Sequence, residues 1–536
     1  MANGLELGDV YDATIGRIKV QDGDKSRLGM TALMWISHAE RPLRADELCH
    51  ALAVQLGSRD FDIGNIPSMS TLVSCCQGLI TVDKEASTVR LIHFTLQEYL
   101  SARPYIFTKP HSAMAEICLT YLNYQQVKAL SVTHSPDIRN APFLEYCSVY
   151  WGVHGKRELS DYGISLALVL LKENYGWIST ILLLAEVTYF CRSGFDTPPV
   201  LSGLHCASFF GIVQVVARLI EMESYDVNEG DFSGCTPLAW AARNGHEEVV
   251  KVLLSCEEIY PDGPDSSGRT PLSFAAENGH EGVVKILLGR EEVDPNRLDN
   301  DCATPLAFAA WSGHEEVVKI LLGREEVNPD MPNDEGRTPL SWAAGGGHGA
   351  VVGVLLGREG VNPDRPDNDG ATPLSFAARD GHEGVVKIFL GREDVNPETP
   401  DNGGRTPLSF AAQNGNEGVV KILLGREEVN PDKPDNWGRT PLSYLAWCGH
   451  QGVAKILLGR EEVNPDRQEN GGQTPLSFAA HNGHEGLVKI LLGREEVDPN
   501  RPDNDGLTPL SYAIRYRHGG VAALLQSREV LIPSTI

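Results

Sequence analysis

The sequence predicts a mainly α-helical protein in which a non-repeating N-terminal region precedes a solenoid of about ten 34-residue repeats. The tripeptide Thr-Pro-Leu recurs nine times at this interval, and Ser202 opens a degenerate tenth copy 34 residues before the first of them. The repeats begin near residues 202, 236, 270, 304, 338, 372, 406, 440, 474 and 508. A fixed period of this length is typical of stacked helical repeats. We therefore predict that residues 201–533 bind other molecules and do no chemistry.

Each repeat is predicted to form two helices and a loop. In the repeat that begins at residue 270, Thr270 can cap the first helix and Pro271 suits its first turn. Leu272, Ala275 and Ala276 then form an apolar stripe, and the Asn-Gly pair at 278–279 can end the helix. A second apolar helix follows at residues 283–288, before a loop rich in Pro, Asp and Asn. Neither helix is apolar enough to stand alone, so the repeats must stack.

These residues resemble the ankyrin repeat, and the resemblance covers residues 201–533. Two departures from that family's pattern are visible. Serine replaces the histidine that normally follows Thr-Pro-Leu in most copies, and the loop is lengthened so that the period is 34 residues instead of about 33. The proline-rich loop predicts stiffer loop tips than usual.

The N-terminal region carries the element order of a winged helix. Helices are expected from Ser26, Ala45 and Ser70, and two β-type runs follow at residues 79–82 and 88–92. Residues 95–98, Thr-Leu-Gln-Glu, have the pattern of a capping box that opens the next helix. Three helices followed by a β-hairpin indicate the winged-helix fold.

The segments 34–43, 90–100 and 142–151 are similar to the winged-helix region of fungal NACHT–ankyrin proteins, a region also described as shared with GPI inositol-deacylases. Those proteins are STAND-class signalling ATPases. The resemblance implies a nucleotide-binding domain upstream of the winged helix and repeats that sense a trigger. We accordingly expect a helical remnant at 1–25, a winged helix at 26–105, a helical linker at 106–200 and ankyrin repeats at 201–533.

The sequence contains no phosphate-binding loop of the form GxxxxGK[ST], so we expect the NACHT ATPase domain to be missing from this chain and no nucleotide cofactor to be bound. The nearest string, residues 23–26, lacks the Gly-Lys pair. His93 falls where the resemblance places a nucleotide-contacting histidine. Without a phosphate loop, we expect His93 to be a packed, hydrogen-bonded side chain.

The charge distribution argues against nucleic-acid binding. The net charge of −26 arises from 17 basic and 21 acidic side chains in residues 1–200, and from 29 and 51 in residues 201–536. An acidic array repels phosphate. The eleven cysteines show no CxxC spacing, which favours reduced thiols in the cytoplasm or nucleus. The apolar stretches 164–171 and 177–187 are shorter than a membrane helix requires, so both are predicted to be buried helices.

No catalytic or metal site is predicted. The histidines that open the second helices recur once per repeat, about 10 Å apart, too far to share an ion. We expect them to make structural hydrogen bonds. The Asp-Asn-Asp-Gly run at 367–370 lacks the outer ligands of a calcium loop, and GxSxG is absent.

Positions that differ between repeats are the candidates for partner binding. The residue after the Ala-Ala pair is Trp311, Arg243 or Arg379 in three repeats, and Trp447 stands there in the repeat at 440. That repeat also contains Tyr444, and Trp437 precedes it in the loop. Tryptophan, tyrosine and arginine are enriched among binding hot spots. The alternative is that these aromatic side chains only cover neighbouring helices.

Three functions fit these features. The leading hypothesis is a non-enzymatic ankyrin scaffold that binds protein partners in a STAND-like regulatory setting, with a separate NACHT-type ATPase as one partner. The second is a fragment of an ATP-dependent switch. The third, a winged-helix transcription regulator, is disfavoured by the acidic charge and by a third helix without Lys or Arg.

The missing phosphate loop leads to the first prediction. The purified chain should neither hydrolyse ATP nor bind it with micromolar affinity, because no glycine-rich loop and lysine cradle the phosphates. Isothermal titration calorimetry with ATP and Mg²⁺ tests this, and micromolar binding would contradict it.

Overall fold

The structure is a computed structural model that describes residues 7–83, 85–130, 141–172, 201–222 and 225–529. It divides into two compact units, Met1–Ser266 and Ser267–Ile536. Helices dominate both units, and the described strands form one two-stranded sheet. The predicted fold class, a mainly helical N-terminal region followed by a helical repeat array, is confirmed.

The first unit begins with the elements expected of a winged helix. Its helices are α1 (Leu7–Lys19), α2 (Gly23–His38), α3 (Ala45–Ala53), α4 (Met69–Cys75) and α5 (Phe94–Ser101), with short 3-10 turns at Ile63–Asn65 and Pro104–Ile106. The strands β1 (Ile80–Asp83) and β2 (Thr88–Leu91) pair antiparallel, with Ile80 opposite Leu91. The predicted three helices and hairpin are therefore present.

The predicted capping box at Thr95 is wrong. Helix α5 begins at Phe94, and its N-cap is His93, whose Nδ1 accepts a hydrogen bond from the Thr95 backbone N–H at 3.3 Å. A histidine ring nitrogen thus caps the helix where a threonine hydroxyl was expected to do so. His93 is hydrogen-bonded as expected, but the expectation that it is packed is wrong, because its side chain is exposed at the helix start.

Four further helices complete the non-repeating region: α6 (Pro110–Asn123), α7 (Gln125–Leu130), α8 (Leu144–Arg157) and α9 (Asp161–Lys172). Their core is aromatic. The rings of Phe143 and Tyr146 meet the fully buried Trp35 edge-on, at centroid distances of 5.4 and 5.8 Å. The apolar stretch 164–171 forms most of α9, with Ala167, Leu170 and Leu171 buried as predicted. The stretch 177–187 lies outside the described residues, among which no helix is both long and apolar enough to span a bilayer.

Every repeat contains the two predicted helices. In the first unit they are Gly203–Phe210 with Val213–Glu221, and Pro237–Arg243 with Glu247–Leu254. In the second unit the first helices are Pro271–Glu277, Pro305–Ser312, Pro339–Gly345, Pro373–Asp380, Pro407–Asn414, Pro441–Cys448, Pro475–His481 and Pro509–Arg515. Their second helices are Glu281–Leu288, Glu315–Leu322, Gly349–Leu356, Glu383–Leu390, Glu417–Leu423, Gln451–Leu457, Glu485–Leu492 and Gly519–Glu529.

The serine that replaces the usual histidine places its hydroxyl beside the threonine cap of its own helix. The Thr270 Oγ1 accepts from the Ser273 N–H at 3.2 Å, and the two hydroxyls lie 3.2 Å apart. The first repeat keeps a histidine at this position. There the His205 Nε2–H donates to the Cys235 carbonyl of the next loop at 3.0 Å. The serine hydroxyl therefore contacts the threonine of its own repeat, whereas the histidine joins its repeat to the next one.

The lengthened loops are joined to one another by asparagine. The Asn402 backbone N–H donates to the Asp369 carbonyl at 2.8 Å, and its side-chain Nδ2 donates to the Asn368 carbonyl at 2.9 Å. The same side-chain bond recurs at Asn436, Asn470 and Asn504. Two hydrogen bonds per repeat therefore hold each of these loops to the loop before it.

The repeated histidines make structural hydrogen bonds, as predicted. Each Nε2–H donates to the carbonyl of the residue after Ala-Ala in the preceding repeat, at 2.7 to 3.0 Å, in His246, His314, His348, His382, His450, His484 and His518. In the repeat at 406, Asn416 makes this bond with its Nδ2, to Arg379 at 2.8 Å. The ring of His382 also lies against Gly347, whose φ of 75° suits glycine.

This bond can be tested at His382. The substitution His382→Ala should lower the free energy of unfolding by about 1–2 kcal/mol, because it leaves the Gly345 carbonyl unpaired. His382→Asn should cost clearly less, since Asn416 supplies the same bond one repeat later. Urea unfolding followed by circular dichroism measures both, and equal losses for the two variants would contradict the role given to the bond.

Candidate protein-binding surface

The residue after Ala-Ala combines a fixed backbone with a variable side chain. The carbonyls of Trp311 and Trp447 accept from His348 and His484, both at 2.9 Å. Their side chains nevertheless remain 50% and 49% exposed. The hydrogen bond requires only a main-chain acceptor, so it does not depend on which side chain occupies this position.

Trp447 begins a row of aromatic rings. It contacts Phe478 edge-on at 5.8 Å and the His481 ring at 5.3 Å, and His481 stacks on Tyr516 at 4.0 Å. The indole is thus supported on one side by the following repeat and open on the other. A rigid, half-exposed ring loses little conformational entropy on binding, which suits a hot spot.

Trp437 and Tyr444 behave differently. The Trp437 ring lies over Gly403 of the preceding loop and is 51% exposed, so it points the other way along the array from Trp447. The two tryptophans therefore contact opposite neighbours, Trp437 the preceding loop and Trp447 the following repeat. The Tyr444 hydroxyl donates to Asp435 Oδ2 at 2.6 Å, so this hydroxyl is engaged within its own repeat.

The two candidate arginines are also partly engaged. Arg379 makes two hydrogen bonds of 3.0 Å to the Asp380 carboxylate, and its guanidinium lies 5.0 Å from the Phe376 ring centroid. In the first unit, Arg243 lies 5.7 Å from the ring of Trp240. Both arginines stack on the aromatic residue three positions earlier in the same helix, which fixes their direction.

A cavity of about 340 Å³ lies beside Trp311 in the second unit. Its walls combine aromatic rings with carboxylates: Phe308, Trp311 and Trp342 with Asp301, Asp334 and Glu335. Trp311 and Trp342 meet edge-on at 6.4 Å. Sequence comparison of the repeats singled out Trp311 but missed the cavity, which depends on side chains from two repeats and their loops.

A second cluster lies in the first unit, where ligand atoms of Glu40, His111 and His154 fall within 4.8 Å of one another. These groups already have partners. The His111 and His154 Nδ1 atoms lie 2.9 Å apart, the Tyr146 hydroxyl lies 2.9 Å from His154 Nε2, and both Glu40 oxygens accept from Arg157. The arrangement is a hydrogen-bonded core cluster, in which an arginine occupies the carboxylate that a metal would need.

The buried histidine of this cluster should make stability depend on pH. Burial, followed by the charges of His111 and Arg157, lowers the pKa of His154 to about 3. A depressed folded-state pKa means that stability is complete above the ordinary value of about 6.5 and is lost as the pH falls toward 3. When the pH falls from 7 to 5, this side chain should lower the free energy of unfolding by about 2 kcal/mol. Urea unfolding of His154→Gln should show a smaller loss over this interval, and an unchanged loss would contradict the assignment.

Comparison with known proteins agrees with this architecture. A family model described as ankyrin repeats (3 copies) matches overlapping segments that together cover residues 184–533. A second model, the winged helix domain of GPI inositol-deacylase, matches residues 19–105, which contain α2 to α5 and the hairpin. A search of curated proteins found no match. Because the repeats account for well over half of its residues and each forms the expected helix pair, the chain belongs to the ankyrin-repeat family.

Proposed function

We propose that the chain is a non-catalytic ankyrin scaffold that binds a protein partner through the exposed aromatic side chains of its repeats. One observation carries the proposal. Trp311 and Trp447 are half-exposed on a backbone that the histidine bonds hold in place. Large aromatic side chains that are rigid and accessible supply much of the binding energy in protein interfaces.

The charge of the array supports a partner with a basic contact surface. Residues 201–536 carry 51 acidic against 29 basic side chains. Opposite charge on the partner accelerates association and excludes acidic competitors, while the aromatic anchors determine the affinity. A phosphate-rich nucleic acid would meet repulsion instead.

The winged-helix region supports a regulatory setting related to STAND proteins, with a separate NACHT-type ATPase as its partner and the cytoplasm as its location. Ile92 and Phe94 at the end of the hairpin are 56% and 66% exposed, beside a cavity of about 300 Å³ lined by Arg90, His93 and Gln97. Exposed apolar side chains at one place favour a docking surface. The alternative, a part of an ATP-dependent switch, predicts a phosphate loop in the flanking coding sequence.

The binding proposal is tested at Trp447. Proteins that cross-link to the full chain are identified, and the dissociation constant of the purified partner is measured for single variants. Trp447→Ala should weaken binding by about 30-fold, or about 2 kcal/mol, with little change in stability. The matched control is Gln413→Ala, at the same position of the repeat at 406, which should bind normally.

Three single variants make the test decisive. If Trp311→Ala, Trp437→Ala and Trp447→Ala all bind as the unaltered protein does, the aromatic surface is not the recognition site. If Trp447→Ala lowers the free energy of unfolding but not the affinity, the ring only covers Phe478 and His481.

A further inference from the structure

One loop carboxylate is satisfied in most repeats by a donor from the chain itself. This residue lies five positions before the conserved threonine, and its Oδ1 caps the loop backbone. Its Oδ2 accepts a hydrogen bond from another side chain in four repeats. The acceptor and donor pairs are Asp231 with Trp240, Asp401 with Arg405, Asp435 with Tyr444, and Asp503 with Tyr512. In Asp367 the same oxygen lies 3.8 Å from Arg337 Nε. This carboxylate oxygen is therefore usually paired with a hydrogen-bond donor, and the donor can be a cationic side chain.

The repeat at 406 shows how a guanidinium fills this position. Arg405 Nε donates to Asp401 Oδ2 at 2.8 Å, and Nη2 approaches the same oxygen at 2.7 Å. The guanidinium carbon lies 4.5 Å from the centroid of Phe410. Charge-assisted hydrogen bonding and cation–π contact thus act on one group.

The repeat at 304 has the carboxylate and the aromatic ring, but it has neither the arginine before the threonine nor a Trp or Tyr donor nine residues after the aspartate. Asp299 corresponds to Asp401 and Phe308 to Phe410, while Ala303 stands where Arg405 would be. Asp299 Oδ1 accepts from the backbone N–H groups of Asp301 and Ala303 at 3.0 and 2.7 Å. Within the part of the chain that the structure describes, no side chain donates to its Oδ2.

The nearest basic residue of the preceding repeat does not fill the gap. The Arg269 guanidinium lies 4.5 Å from the Phe274 centroid and 3.9 Å from Glu277. Burial raises the pKa of Asp299 above its usual value, the backbone bonds oppose this shift, and the charge of Arg269 is its smallest contribution. The carboxylate is thus partly desolvated, and among the described residues no cation forms an ion pair with it.

The cavity beside Trp311 adjoins the position of the missing arginine, because its lining includes Asp299, Ala303 and Phe308. Trp311 and Trp342 also line it, and Asp301 and Asp334 add negative charge. Its volume of about 340 Å³ exceeds that of one arginine side chain, so a backbone segment can enter with it.

We propose that this cavity binds an arginine side chain of the protein partner, with its guanidinium on Asp299 Oδ2 and stacked on Phe308 as Arg405 is on Asp401 and Phe410. The inference deepens the proposed function, on which it rests, by naming the chemical group that the surface recognises. Arginine fits better than lysine because its planar group can donate to the carboxylate and stack on the ring at once.

The experiment uses the full chain and two short peptides, Gly-Ser-Gly-Arg-Gly-Ser-Gly and the same peptide with citrulline, the neutral isostere of arginine. The arginine peptide should bind in the millimolar range or more tightly, detected by tryptophan fluorescence and confirmed by NMR. The citrulline peptide should bind at least tenfold more weakly, since it lacks the charge that Asp299 attracts. Equal binding of both peptides overturns the proposal.

Two alanine-to-arginine variants locate the site. Ala303→Arg restores the chain's own guanidinium, so it should abolish peptide binding and raise the thermal midpoint. Ala371→Arg alters the same position in the repeat at 372, where Arg337 and Arg379 already lie 5.1 and 5.0 Å from the Phe376 centroid, and should leave peptide binding unchanged. Retained binding in Ala303→Arg, or equal loss in both variants, overturns the site.

A third variant guards against misfolding and separates this inference from the proposed function. Asp299→Asn should weaken binding of the arginine peptide at least tenfold. The loop should stay folded, because Asn333 occupies this position in the next repeat and its Oδ1 accepts a hydrogen bond from the Arg337 N–H. If Asp299→Asn binds the peptide normally, the cavity inference fails. The proposed scaffold function stands or falls separately, on the partner affinity of Trp447→Ala.

Discussion

The array depends on the hydrogen bond that ties the start of each second helix to the end of the preceding repeat's first helix. A single 34-residue unit has two helices of seven to eleven residues, too short to be stable alone. Stacking buries their alanines and leucines, and the histidine or asparagine bond fixes the register of that stacking. A hydrogen bond to a main-chain carbonyl does not depend on the side chain of the accepting residue. The main chain of this residue therefore serves stability, while its side chain is available for the recognition proposed above.

That separation explains why the repeats can be so alike and still present different surfaces. The loop asparagines are similar, because they too bond to main-chain carbonyls. Side chains at the loop tip and after Ala-Ala can therefore change without altering the frame. Trp437 and Trp447 illustrate the result, since one lies on the preceding loop and the other on the following helix of an otherwise regular stack.

The sequence predicted the parts of this structure that follow from local rules. Threonine caps, helix pairs and the order of three helices and a hairpin all depend on residues near one another in the chain. The sequence analysis missed three contacts for different reasons. His93 caps a helix through a ring nitrogen, which is a local cap outside the usual Ser, Thr, Asp and Asn preference. The bond from the Tyr444 hydroxyl to Asp435 has a nine-residue spacing that recurs at Trp240 and Tyr512 but corresponds to no general motif. The His111–His154 contact joins α6 to α8, so only the folded chain shows it.

The sequence did not predict the cavity in the repeat at 304 for a further reason, which is that the cavity lies where an arginine is absent. Alanine is unremarkable at position 303 until Arg405 shows what the neighbouring geometry can hold. Omitting the arginine gives up an ion pair and a ring contact, and leaves a carboxylate partly desolvated. The repeats at 270, 338, 406 and 440 keep the arginine, and those at 236 and 508 supply Trp240 and Tyr512 as donors instead. The unfilled position therefore points toward recognition, where a cation from another molecule completes the same arrangement and gains the energy that the chain has left unused.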